Sequence, residues 1–182
     1  MSLTRCLRFR QTGAAALAVS CLLFTACGSK GNEPPALSVT STAFTSGTAL
    51  PKDYTCEGTN IMPPLSFGSV PKDAKSLAIL MDDLDAPKGI AVQAMIWNLS
   101  PAFTQIAGER SLTGAVIGLN SQGVKGYTGP CPLPGKAHRY VISVYALNSD
   151  LTFKTSPSRV QFKRAMLSRV LAKGELLTTY QR

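Results

Sequence analysis

GYTGPCPLPGKAHRYVISVYAL, Gly126 to Leu147, decides the fold. Its second half, Tyr140 to Leu147 (YVISVYAL), is apolar on both alternating faces, which predicts a central strand covered on both sides. Its first half is a proline- and glycine-rich loop that feeds the chain's single histidine, His138, into that strand. Such a loop can line a pocket floored by the strand.

Upstream, MDDLDAPKG (81–89) sets Asp82, Asp83 and Asp85 at the end of a second strand-like run, so carboxylates and imidazole meet if the two strand ends are neighbours. Leu37 to Phe44, Leu77 to Met81 and Ala91 to Leu99 also read as strands, separated by turn-rich links such as Pro63-Pro64, Val70 to Asp73 and Gly118 to Gly123. A helical pattern follows Ser156-Pro157-Ser158, with Ser156 as the expected cap and Pro157 in the first turn. Val160, Met166, Leu167, Val170 and Leu171 share one face of it, and Arg159, Lys163, Arg169 and Lys173 occupy others. This reads as a core-packing helix with a solvated basic side, ahead of a membrane-surface helix. The pattern predicts one mainly β domain with one or two helices.

The N-terminus carries Arg5, Arg8 and Arg10 without an acid, then an apolar run from Gly13 to Phe24 ending in Phe24-Thr25-Ala26-Cys27. A cationic start, a short apolar stretch and a small-residue cleavage site describe an export signal over residues 1–26, too short to span a bilayer core. Cysteine directly after Thr-Ala resembles the bacterial lipobox, which implies lipid on Cys27 and anchorage in the cell envelope. Residues 27–36 then form the lipidated end and a polar tether, and 37–182 the folded domain. Gly28 and Ser29 resemble sorting signals for the periplasmic face of the outer membrane in a diderm cell; an ordinary secretory signal, giving a periplasmic or secreted protein, is the alternative.

Loss of residues 1–26 lowers Lys+Arg from 19 to 16 against 10 acids, so the mature chain stays basic at about +6. A basic surface suits anionic lipid headgroups. No nucleic-acid motif accompanies the charge. Among the cysteines, Cys6 and Cys21 leave with the signal and Cys27 is taken by lipid. Cys56 and Cys131 remain, an even number expected to pair in an oxidising compartment; two separate thiols are the alternative, and a reactive cysteine the least favoured. There is no G-x-S-x-G elbow, no HExxH and no second histidine to complete a metal set.

Taken in order, TCEGTNIMPPLSFGSVP (55–71), ILMDDLDAPKG (79–89), IWNLSP (96–101), GYTGPCPLPGKAHRY (126–140) and the terminal helix resemble the phosphatidylethanolamine-binding protein family, nearest its bacterial Raf-kinase-inhibitor-like branch. The resemblance implies a large antiparallel sheet packed on a smaller one, with peripheral helices including a C-terminal one. It also implies a pocket for phosphate-like anions or phospholipid headgroups. Asp83, Asp85, Pro87, Gly129, Pro130, His138 and Tyr140 fall on pocket-forming places, and Asp82 has no such match. Gln93 stands where the family usually has a histidine; it keeps hydrogen-bonding capacity but cannot become cationic. Phe67 replaces a usual tryptophan.

Carboxylates repel phosphate, so the acids are expected to hold the site together, Asp83 or Asp85 accepting from His138 or from loop amides while backbone N–H groups of the glycine-rich loop face the anion. Attraction of a headgroup ammonium is a second role for an aspartate. The expected function is a non-catalytic, cofactor-free envelope lipoprotein that binds a small anion or headgroup and regulates a protein partner of unknown identity. A protease- or kinase-inhibitor-like binding module is the alternative, and a small hydrolase using Asp83 or Asp85 with His138 the least favoured.

Overall fold

The structure, a computed structural model, describes residues 33–109 and 112–182. The expected export signal and Cys27 lie outside the described residues. Among the described residues eight strands and one α-helix follow in order: β1 (Ser38–Thr40), β2 (Leu65–Gly68), β3 (Ser76–Asp83), β4 (Ala91–Leu99), β5 (Gln105–Ile106), β6 (Val116–Ile117), β7 (His138–Leu147), α1 (Arg159–Met166) and β8 (Val170–Tyr180). A five-stranded sheet has the order β6-β4-β3-β7-β8 and a three-stranded one the order β1-β2-β5. All the strand pairs are antiparallel.

β7 is the central strand its sequence predicts, flanked by β3 and β8 and covered on both faces. On its inner face, Tyr140, Ile142, Val144 and Ala146 join Leu77, Ile79 and Met81 of β3 and Val39, Leu65 and Phe67 of the small sheet in one core cluster. On the other face, Tyr145 and Leu147 join Leu80, Met95 and Trp97, which Phe162 and Met166 of α1 cover. Phe67 is buried, so the ring expected there packs in the core.

The C-terminal helix is shorter than its sequence pattern suggests. Ser158, rather than Ser156, caps it: its Oγ accepts from the Gln161 N–H, and the Gln161 side chain accepts from the Ser158 N–H at 2.8 Å, a reciprocal capping box. Ser156 instead accepts from the Leu119 N–H at 2.8 Å. Val170, Leu171 and Lys173, read as helical, belong to β8, where Ala172, Gly174, Leu176, Thr178 and Tyr180 alternate inward. Gly174 has a packing reason: a Cβ there would stand 2.0 Å from the Leu37 carbonyl oxygen, where the N-terminal segment lies against β8. Val160 and Leu167, expected in the core, are exposed.

A register shift between β3 and β4 pairs Met81 with Ala94 but Asp82 with Val92, leaving Gln93 as the extra residue of a bulge. Two positions later β3 ends, and the site begins.

Candidate ligand-binding site

Successive residues of a strand face opposite ways, so the pleat sorts Asp82 from Asp83. Asp82 shares the face of Leu80 and meets α1: Arg159 donates from Nε and a terminal nitrogen to its two oxygens at 2.9 and 2.8 Å. Asp83 shares the inner face of Met81. Its register partner on β7 is Tyr140, and His138 begins the same strand two residues earlier. The Asp83 carboxylate stands 2.9 and 3.1 Å from Nδ1 of His138 and accepts the Asp85 N–H at 2.9 Å. The acidic and histidine-bearing strand ends therefore meet.

Asp83 is nearly buried at 7% side-chain exposure, while His138 retains 15%. The Tyr140 ring lies near-parallel to the imidazole with centroids 6.3 Å apart. Its hydroxyl is buried without a hydrogen-bond partner of ordinary geometry among the described residues. Burial, and behind it the Asp83 carboxylate, holds that phenol well above its usual pKa, so it is a neutral donor.

Asp85 lies past the end of β3 and turns outward. Both its oxygens are taken by Arg139, through Nε at 2.8 Å, a terminal nitrogen at 2.7 Å and the backbone N–H at 2.9 Å. Those hydrogen bonds hold its carboxyl far below the usual range. Pro87 is exposed in the Ala86–Gly89 turn, closed by the Gly89 N–H donating to the Ala86 carbonyl at 3.0 Å. The Asp85 side chain is thus turned to Arg139, and only its backbone N–H reaches the Asp83 carboxylate.

The 126–131 loop is pinned from several sides. Cys56 and Cys131 are joined by a disulfide, with Cα atoms 5.4 Å apart. The Cys56 N–H donates to the Pro130 carbonyl at 3.2 Å, and the Gly129 N–H donates to Asn60 Oδ1 at 2.7 Å. A Cβ on Gly129 would come within 2.6 Å of the Tyr54 carbonyl oxygen, so only glycine allows this approach. The Gly126 N–H goes to Gly118, that of Thr128 to the carbonyl of Gln93 at 3.0 Å, and that of Tyr127 to Glu109. The amides of residues 126–129 are thus spent inside the protein. This corrects the expectation that they would face an anion. Gln93 is buried beside this loop and ties it to β4 through its backbone.

Sequence reasoning missed Tyr180 and Glu57. β8 sets Tyr180 directly opposite His138, and its hydroxyl donates to the Glu57 carboxylate. The helical reading of the C-terminus hid this residue; the alternation from Ala172 to Tyr180 was the available signal. A 440 Å³ cavity lies elsewhere, between Val92, Leu119 and the start of α1, and a 330 Å³ one between Ile61, Met62, Glu109 and Tyr127. Neither is lined by His138, whose chemistry outweighs their size. Among the described residues no group of three metal-ligating side chains occurs.

Comparison with known proteins agrees with this architecture. A UPF0098 protein of Chlamydia trachomatis is 39% identical over 151 residues, covering 80% of this chain and 99% of that protein. The crystal structure of a phosphatidylethanolamine-binding protein homologue from C. trachomatis, also 39% identical, superposes with a TM-score of 0.75 over 81% of this chain and 98% of that one. Escherichia coli YbcL, described as a new member of the mammalian family, is 28% identical with a TM-score of 0.75 over 80% of this chain and 98% of its own. The family profile for phosphatidylethanolamine-binding protein matches residues 40–181, and the chain belongs to that family.

Proposed function

We propose that the protein is a lipid-anchored envelope protein whose family site, centred on His138, binds a small phosphate-bearing anion or phospholipid headgroup without turning it over. The observation that carries this reading is the Asp83–His138 contact at 2.9 Å. A carboxylate on Nδ1 fixes the ring and leaves Nε2 for a ligand.

The Tyr140 hydroxyl, buried and turned toward the Asp83 carboxylate, is a second donor that a ligand oxygen can engage. Asp83 supports recognition by holding the imidazole, not by touching the anion. Gln93 supplies no cation, so the affinity rests on one imidazole.

Native mass spectrometry of the purified protein, followed by calorimetric titration with inorganic phosphate and with phosphoethanolamine, tests the reading. Wild type should bind and His138→Ala should not. Equal binding by both, or none by wild type, removes the site. Steady hydrolysis of a phosphodiester or ester substrate that disappears in His138→Ala would replace binding with catalysis.

A further inference from the structure

The outward face of α1 is not the solvated polar face of an ordinary packed helix. At 100° per residue, Val160, Lys163, Arg164 and Leu167 fall within an arc of about 100°, opposite the buried Phe162 and Met166. Val160 is 66% and Leu167 80% exposed. α1 contains no acid, and Arg169 follows it, tied back through its N–H to the Met166 carbonyl at 2.8 Å. Asp82 is paired with Arg159 and Glu175 with Lys173 at 2.6 Å, while the Arg169 guanidinium donates to the Asp150 carbonyl at 3.3 Å. Two bare aliphatic side chains flanked by cations suit an interface that is anionic at its surface and apolar beneath.

The path of the chain says which interface. Pro35 accepts from the Lys173 N–H at 3.0 Å, the Leu37 N–H donates to the Lys173 carbonyl at 2.8 Å, and Ala36 bridges Lys173 in parallel. The folded chain therefore enters alongside β8, near the end where α1 finishes and Val170 begins. Cys27 precedes Glu33 by six residues, a reach of at most about 20 Å.

From these observations we infer that the Val160, Lys163, Arg164, Leu167 and Arg169 surface docks on an anionic lipid bilayer. This rests on the reading of Cys27 as a lipidated residue. His138 pairs with Tyr180 at the far end of β8, some ten strand residues or about 30 Å from Val170. The docked domain thus presents its site to ligands in solution rather than to lipids within the same leaflet.

The test uses the anchored protein extracted from a bacterial envelope and reconstituted into vesicles of phosphatidylcholine with about 30 mol % phosphatidylglycerol, the acyl chains brominated. The native Trp97 is buried and serves as background. Leu167→Trp should be quenched roughly fivefold more than Leu133→Trp, an exposed control on the loop before His138. The excess should vanish with Lys163→Glu/Arg164→Glu, in pure phosphatidylcholine, and in high salt. Equal quenching of the two tryptophans overturns the inference. So does shielding of Leu167→Trp from aqueous quencher in lipid-free protein, which marks a face that pairs with a second copy. The intact mass of the same sample reads acylation separately: an unacylated chain still quenched at Leu167→Trp refutes the anchor and upholds the surface.

Discussion

Nδ1 of His138 lies 2.9 Å from the Asp83 carboxylate, across 55 residues of sequence and between adjacent strands. With Nδ1 held against that carboxylate, Nε2 is the ring nitrogen left to a ligand. Asp83→Asn, which removes a charge-assisted bond worth about 1.5–3 kcal/mol, should weaken phosphate binding by about tenfold or more. Unchanged affinity in Asp83→Asn would contradict a role for the carboxylate in holding the imidazole.

Asp85 tests which acid matters. Its bonds to Arg139 are exposed, Arg139 at 59% and Asp85 at 21% of side-chain area, so solvent screens them. Asp85→Ala should leave the denaturant midpoint nearly unchanged and phosphate affinity within about threefold of wild type. A loss as large as that of Asp83→Asn would place Asp85 in the site.

What the sequence revealed follows from its periodicities. β4 and β7 carry apolar runs buried on both faces, and their expected bounds agree with the observed strands to within two residues. The 170–180 segment was misread because Val170 and Leu171 continue the spacing of Met166 and Leu167, so a helical stripe and a strand alternation overlap for one turn. Only after Lys173 does the period of two stand alone. Asp83 and His138 were legible as strand-end residues, but their contact depends on register, and the register of β3 with β7 is set by core packing rather than by any local motif. Tyr180 was lost with the strand that carries it. The commitment of the loop amides to Gln93, Asn60 and Glu109 was equally hidden, being made by residues distant in sequence.

Arg159 and Asp82 join α1 to β3 at 2.8 Å, with Asp82 only 8% exposed. Arg159→Ala leaves that carboxylate buried without its counter-ion and should cost about 3 kcal/mol in urea unfolding. Asp82→Leu/Arg159→Met removes both charges together and should recover most of the loss. A double variant as unstable as the single one would show that the guanidinium packs rather than neutralises.

The Cys56–Cys131 bond spans 75 residues and ties the 52–60 segment to the loop before His138. Its removal in Cys56→Ser/Cys131→Ser should cost about 4 kcal/mol by the chain-entropy relation, read as a lower denaturant midpoint. Thiol titration of unreduced denatured protein should find neither cysteine reactive. The ligand site should suffer less than the fold, since the Asp83–His138 contact is made between paired strands. Phosphate affinity falling in parallel with stability would mean that the loop, not the strand ends, shapes the site.

Glu109 is half-buried, and burial raises its pKa against the opposing hydrogen bond from the Tyr127 N–H. An acid whose folded pKa exceeds its unfolded one adds stability at low pH, and that contribution is lost as pH rises through the raised value. Glu109→Gln keeps an oxygen for Tyr127 and carries no charge, so it escapes that loss. The variant should be more stable than wild type near pH 7, and the difference should shrink as pH falls below the ordinary glutamate range. A variant less stable at pH 7 would mean that the ionised carboxylate is matched by a cation, and the pH at which the two unfolding curves converge would then report that pairing instead of the desolvation.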